Sequence, residues 1–335
     1  MPVPQRSLKP LIVALAGFLI GAILIALVLW HFDFAEAKRI MLGMSAGWVA
    51  ASVGVYWLAL TIRVLRWHLL LAQLCPGVGR AKIAETLVIG YAVNTVLPAR
   101  LGELFRADYA GKRFAVPRSA AFGSILVERT MDGLAVVGFL AMGLLALPTT
   151  GSSEAVKALQ AVAVAGACLF LGVVAAIVAV RQLGRRDWRL PARLAGMLAK
   201  FTDGVRTLNR VTLAEGCGLT VAVWLLETTA FWCMVRATGP ALGPAEALVL
   251  IGAASLSTLV PTAPGFLGSF QFVFALCFTA FGLSDTIGIV AASAVQIFIL
   301  GSVVVAGLTL LMGRSLHATL RASVPAWARG PARNR

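Results

Sequence analysis

The chain has 335 residues, of which 59% are hydrophobic and only 13% charged, with a formal net charge of +15. The charged share is about half that of a typical soluble domain, which excludes an ordinary water-soluble globule and points to an all-α, polytopic helical membrane protein. The Lys and Arg residues fall mostly between apolar runs, the distribution set by membrane orientation and anionic headgroups and not by nucleic acid, so no nucleic-acid partner is expected.

In chain order, apolar stretches long enough to cross a membrane occur at about 10–31, 44–67, 119–148, 157–180, 211–238 and 284–313, six spans in all. The first has no signal-peptide cleavage pattern. Two further apolar segments differ from the rest. Ile83 to Leu97 stops at Pro98, and the stretch that follows, ARLGELFRADYAGKR, is too polar to cross lipid. The second has two apolar arms, 245–260 and 266–282, around PTAPG. Each reads as a re-entrant hairpin, because irregular backbone at membrane depth survives only where protein or a water-filled cavity covers it.

The two segments are near-duplicates. Ala84 to Phe105 reads AETLVIGYAVNTVLPARLGELF, and Ala245 to Phe270 reads AEALVLIGAASLSTLVPTAPGFLGSF. Glu85 aligns with Glu246, Pro98 with Pro261 and Gly102 with Gly265, given two residues inserted in the second copy. Low complexity makes chance the rival explanation, but Glu, Pro and Gly align along with the apolar filler. The chain is read as one transmembrane domain, 1–335, in two repeat halves, 1–150 and 151–335. Three spans separate the hairpins, so they enter from opposite faces as an inverted repeat whose tips meet near the midplane.

Loop charges agree with this topology. The basic loop 181–210, both termini and the stretch after the first break all fall on the cytoplasmic side, giving a multi-pass protein of a bacterial inner membrane with both termini cytoplasmic.

Charged residues within apolar surroundings are expensive and mark candidate sites. Arg63 and Arg66 share a helical face at the end of the second span, as interfacial anchors or as site residues. Asn94, Arg100, Glu103 and Arg106 surround the first break. Glu128, Arg129 and Asp132 lie on the next span, where a salt-bridge cluster with Arg100 or Arg106 is one role and ligand binding another. Glu227 is mid-span, either bracing a helix contact or coupling a proton, and Gln271 follows the second break as a second coupling candidate. Pro98, Gly102, Pro261, Pro264, Gly265 and Gly268 would interrupt helices and free backbone N–H groups for an anionic ligand.

Other chemistry is not in evidence. Cys75, Cys168, Cys217, Cys233 and Cys277 have no paired spacing, and His31, His68 and His317 lie far apart, so no metal, redox group or other cofactor is expected. No catalytic triad, P-loop or nucleotide-binding glycine motif occurs, so no catalytic residue is assigned, and transport would run downhill or on an ion gradient.

TIRVLRWHLLL (Thr61 to Leu71), NTVLPARLGELFRA (Asn94 to Ala107), SILVERTMDGL (Ser124 to Leu134) and LVPTAPGFLGSFQ (Leu259 to Gln271) carry a resemblance. Together they are similar to the transmembrane domain of lysylphosphatidylglycerol synthases and their stand-alone flippase-like relatives, over roughly 10–315. The resemblance implies lipid translocation. Only a short basic tail follows the last span, so the aminoacyl-transferase domain, and with it aminoacyl transfer, is not expected. The resulting expectation is a flippase for an anionic or zwitterionic lipid: a phospholipid, an aminoacyl-lipid or a polyprenyl-phosphate-linked lipid. Arg100, Arg106 and Arg129 would hold its phosphate, with Glu103, Glu128 and Asp132 orienting them. Membrane lipids are the expected partners, with a lipid-synthesising enzyme or a second copy of the chain as protein partners. The alternatives are a membrane enzyme or subunit modifying lipids or lipid-linked sugars, and a non-catalytic scaffold.

Overall fold

A computed structural model describes residues 19–27, 32–72, 74–97, 101–147, 154–183, 210–260 and 262–323. Pro98, Arg100, Pro261, most of the loop 181–210 and the outermost residues of both termini lie outside the described residues. Among the described residues every regular element is helical.

After the helical residues 19–27, the elements are α1 (Phe34–Gly43), α2 (Ala46–Ala72), α3 (Arg80–Val96), α4 (Leu101–Phe114), α5 (Arg118–Ala146), α6 (Glu154–Leu183) and α7 (Arg210–Ala237). The second half continues with α8 (Pro244–Ser257), a 3₁₀ turn (Pro264–Phe266), α9 (Ser269–Ala280), α10 (Asp285–Ala294), a π-helical stretch (Val295–Leu300) and α11 (Gly301–Ser323).

Among the described residues four helices are long and apolar enough to cross a membrane: Ala46–Ala72, Glu154–Ala176, Val211–Ala237 and Asp285–Arg314. They match four of the six expected spans. The expected span at 119–148 is the 29-residue α5, which carries Glu128, Arg129 and Asp132 in its first half and is not among the four. The expected first span, 10–31, is described only in part.

The two special segments fold as helical hairpins. The 14 residues of α8 and 12 of α9 extend about 21 and 18 Å, short of a hydrocarbon core of about 30 Å. The polar stretch after the first break is not a loop but the amphipathic helix α4. It packs back on α3, as α9 packs back on α8.

Two helices form the axis of the molecule. α2 and α7 run antiparallel, tied by Ser45 N–H to the Ala237 carbonyl (3.1 Å) at one end and Arg66 to Thr220 (2.7 Å) toward the other. Around this axis the packing is reciprocal: α3 lies against α11, and α8 lies against α5. Small residues permit the close approach, as in membrane helix interfaces generally. A Cβ on Gly252 of α8 would sit 2.6 Å from Cβ of Leu140 on α5, and one on Gly307 of α11 would collide with Ala92 on α3. Exchanging α2 for α7, α3 for α8, α4 for α9 and α5 for α10–α11 maps the packed pairs among these elements onto one another, while the contacts of α1, of α6 and of the 3₁₀ turn lie outside the exchange.

Two large apolar cores and a small one around Leu70 and Val127 result among the described residues. The largest includes Phe139, Leu140, Phe231, Met234, Leu250, Phe274 and Phe278. The second includes Leu60, Trp67, Leu87, Phe114 and Ile125. Trp57 and Tyr91 pack against both of these.

Candidate functional site: a buried ion cluster beside a two-hairpin cavity

Arg63 and Arg66 are one helical turn apart on α2 and therefore project from one face. They do not snorkel to an interface: Arg66 is fully buried and Arg63 is 4% exposed. Opposite them, Glu128 and Asp132 stand one turn apart on α5. Asp132 is the hub. Its Oδ1 accepts from Arg66 Nη1 (2.6 Å) and Trp224 Nε1 (3.0 Å), and its Oδ2 accepts from Arg66 Nη2 (3.1 Å) and Arg63 Nη1 (3.2 Å). Arg129 Nη2 lies 3.0 Å from the same Oδ2.

The remaining charges close the network. Glu227 of α7 accepts from Arg63 Nε at 2.8 Å, so this mid-span carboxylate braces α2 against α7. Glu128 takes both forks of Arg106, at 3.2 and 2.7 Å, and also accepts from Arg129 Nη2 at 2.5 Å. The Arg106 guanidinium lies 3.7 Å from the Trp67 ring centroid. Glu103 is 3.9 Å from Arg129 Nε. Four guanidinium groups thus meet four carboxylates: Arg63, Arg66, Arg106 and Arg129 against Glu103, Glu128, Asp132 and Glu227. The balance is what permits burial, since an uncompensated charge at this depth costs several kcal/mol.

A cavity of about 330 Å³ opens beside the cluster. Asn94, Thr95 and Glu103 of the first hairpin line it, and so do Ser255, Thr258, Leu259, Phe266 and Phe270 of the second. The 3₁₀ turn of the second hairpin packs directly on α3. The lining combines polar groups, Arg129, Asp132, Glu227, Tyr56 and Tyr91, with apolar ones, Phe170, Phe231, Phe266, Phe270 and Val303. Of five side-chain polar atoms buried without a hydrogen-bond partner among the described residues, two belong here, Asn94 Oδ1 and Arg129 Nε; the others are Nε of Arg66, Arg106 and Arg113. Asn94 and Arg129 line the cavity, and such orphan groups ask for a partner.

Each break has its own support. Gly102 lets α4 meet α3, because a Cβ there would stand 2.5 Å from the Asn94 backbone nitrogen. At the second break Gly268 adopts φ 87° and Gly265 φ 71°, both in the left-handed region. Pro264 opens the 3₁₀ turn. Gln271 accepts from Gly268 N–H (2.9 Å) and donates to Gln296 of the π-helical stretch (2.6 Å), which in turn donates to the Gly265 carbonyl (2.9 Å). Gln271 is therefore part of the clamp on the break.

The charged residues read from the sequence are thus brought together, with Arg100, Pro98 and Pro261 outside the described residues. Their arrangement differs from the expected one. Arg106 is consumed by Glu128 and Trp67, and of the four arginines Arg129 lines this cavity. Sequence reasoning missed Tyr56, Tyr91, Thr220 and Trp224. The signal was available in helical spacing: Tyr56 and Thr220 lie seven residues before Arg63 and Glu227, and Tyr91 and Trp224 three before Asn94 and Glu227.

Residues 14–307 match the family model described as the lysylphosphatidylglycerol synthase TM region. The chain is 24% identical over 332 residues to glycosyltransferase AglD of Haloferax volcanii, an alignment covering 87% of this chain and 53% of that protein. The chain therefore spans about half the length of that relative. It is also 21% identical over 297 residues to a UPF0104 membrane protein of Methanothermobacter thermautotrophicus, covering 81% of this chain and 87% of the other. With most of its length matched, this multi-pass helical chain belongs to the lysylphosphatidylglycerol synthase TM-region family.

Proposed function

We propose that the protein moves a lipid across the membrane, taking its anionic or zwitterionic headgroup into the cavity between the hairpins while the hydrocarbon chain stays in the bilayer. The observation that carries this reading is the shared cavity itself, whose lining combines charged and polar groups of α3, α5 and α7 with aromatic rings of α6, α7 and the second hairpin. Such a mixed lining matches a molecule with a polar head and an apolar tail. Arg129 Nε and Asn94 Oδ1 would contact the headgroup, and the paired carboxylates would hold Arg129 in place.

The axis helices support an inverted repeat. α2 and α7 occupy equivalent places in the two halves and run in opposite directions, as equivalent spans do when one half is turned over in the membrane. Each hairpin would then reach the midplane from its own face, and rocking of one half against the other would expose the cavity to alternate sides. In this reading the protein sits in a bacterial inner membrane with both termini and the basic 181–210 loop in the cytoplasm. Membrane lipids are its partners, with a lipid-synthesising enzyme or a second copy as the protein partner.

The test is translocation of fluorescent lipid analogues by the purified protein in vesicles. Wild type should raise translocation above empty vesicles, Arg129→Ala should return it to background, and Arg129→Lys should rescue poorly because an ammonium cannot fork between two acceptors. Wild-type vesicles no faster than empty ones across phospholipid and polyprenyl-phosphate substrates would overturn the proposal. The name of the Haloferax relative favours a second reading, a part in modifying a lipid-linked sugar. Sugar transfer to lipid without lipid movement would select it.

A further inference from the structure

A second concave site lies at the far end of the α2–α7 axis, where α7 ends. α1, the first residues of α2 and the end of α7 enclose a bowl of about 530 Å³ lined by Glu36, Arg39, Ser45, Trp48, Arg236 and Thr238. We infer that this bowl binds the phosphate of an anionic lipid headgroup, independently of whether the central cavity moves lipid.

Three observations point there. The first is charge. Arg63, Arg66, Arg106, Arg113, Arg118, Arg129 and Arg314 are all paired with carboxylates. Arg39, Arg80 and Arg236 have no carboxylate partner among the described residues, and two of these three, Arg39 and Arg236, meet in the bowl. The carboxylate in the bowl, Glu36, accepts from the Ser284 hydroxyl at 3.2 Å. Arg236 spends one donor on the Gly239 carbonyl at 3.0 Å, which leaves the rest of its five-donor fork free for phosphate oxygens.

The second is the level of the site in the membrane. α1 has 10 residues, too few to cross, and Phe34, Met41 and Leu42 are 68%, 60% and 79% exposed along one side of it, with Lys38 between them, whose long stem can carry its charge up to the headgroups. That is the pattern of a helix lying in the headgroup region with its apolar side toward the acyl chains. Asp33 caps its start, accepting from Ala35 and Glu36 N–H at 2.8 and 2.9 Å. The third is aromatic. Trp48 stands edge-on to Trp232, ring centroids 5.5 Å apart, and tryptophan favours the same interfacial layer. The bowl therefore presents two free guanidinium groups at headgroup depth. An anionic lipid brings the phosphate and, below it, the chains that α1 would cover.

The full-length protein in phosphatidylcholine micelles, titrated with phosphatidylglycerol, tests the assignment. The probe is Trp48 fluorescence, taken as the difference between wild type and Trp48→Phe. Phosphatidylglycerol should change it saturably, and the double variant Arg39→Gln/Arg236→Gln should need at least about tenfold more lipid. Arg80→Gln/Lys82→Gln, at the start of α3, should leave the midpoint unchanged. An unshifted midpoint in the folded bowl variant overturns the site. The same saturation with inorganic phosphate at equal concentration overturns the lipid assignment. Should the double variant fail to fold, the wild-type titration decides: no saturable change with phosphatidylglycerol also overturns the proposal.

Discussion

The strongest quantitative expectation concerns the electrical balance of the ion cluster. Asp132→Asn keeps the shape of the hub but removes the charge that Arg63, Arg66 and Arg129 share, with Arg66 fully buried. The cluster passes from four against four to an excess of one cation, and breaking a buried pair in this way costs about 3–5 kcal/mol. Arg129→Gln alone creates the opposite imbalance. Its side chain is 22% exposed, so about 1–2 kcal/mol is expected after allowing for solvent. The double variant restores three against three. Its loss should fall short of the sum of the singles by about 1–3 kcal/mol, the range seen for residues within one network. The assay is an unfolding titration in mixed micelles on all four proteins, followed by helical circular dichroism. Additivity within about 0.5 kcal/mol, the behaviour of independent sites, would refute the view that the cluster is held together by its neutrality.

Other expectations bear on the cavity, the break and the topology. Gly133→Ala places a methyl group where the Phe170 ring now lies; the ring must shift at the cavity wall, so translocation should fall severalfold while the fold survives, and unchanged transport would show that this wall is not used. Cysteines at Thr95 and Thr258, which line the cavity from opposite hairpins, should be bridged by a short bifunctional reagent with loss of transport; bridged protein that still transports would refute relative motion of the hairpins. Gln296→Leu removes the donor to the Gly265 carbonyl and should cost about 1–3 kcal/mol, the usual penalty for an orphaned buried polar group; stability equal to wild type would refute the clamp. Ala195→Cys, in the basic loop, should resist membrane-impermeant thiol reagents applied to intact cells, and labelling there would reverse the topology.

Much of this architecture is legible in the chain because membrane burial makes sequence patterns strict. An uninterrupted apolar run such as 211–238 has few structural alternatives, and α7 follows it to within a residue or two. The hairpins announced themselves through Pro and Gly within apolar runs. What escaped was partner choice. Arg106 after the first break and Arg129 on the next span look alike as residue types, yet Arg106 is bound by Glu128 and Trp67 while Arg129 faces the cavity. That difference depends on the rotation of α4 against α5, which one-dimensional spacing does not encode. The polar stretch 101–114 was read as merely too polar to cross; its amphipathic helix forms because α3 and α5 supply the apolar surface it packs on. The Gln271–Gln296 clamp joins residues 25 positions apart through a π-helical stretch, and neither glutamine alone signals it.

The reciprocal packing of the halves also has a meaning for biosynthesis. α3 emerges early, but the surface that covers it belongs to α11, whose first residue follows roughly 200 positions later. At ribosomal speeds of about 5–20 residues per second the wait lasts on the order of 10–40 s. During that interval Arg63, Arg66, Glu128 and Asp132 can already find one another, all within the first 132 residues, while Glu227 has yet to be made. The nascent first half therefore carries one cation too many and an uncovered helix face. The insertion machinery has to shelter the extra charge until Glu227 is made and the helix face until the last helix arrives, and a chain cut short before α11 should be recognised by membrane quality control as unfinished.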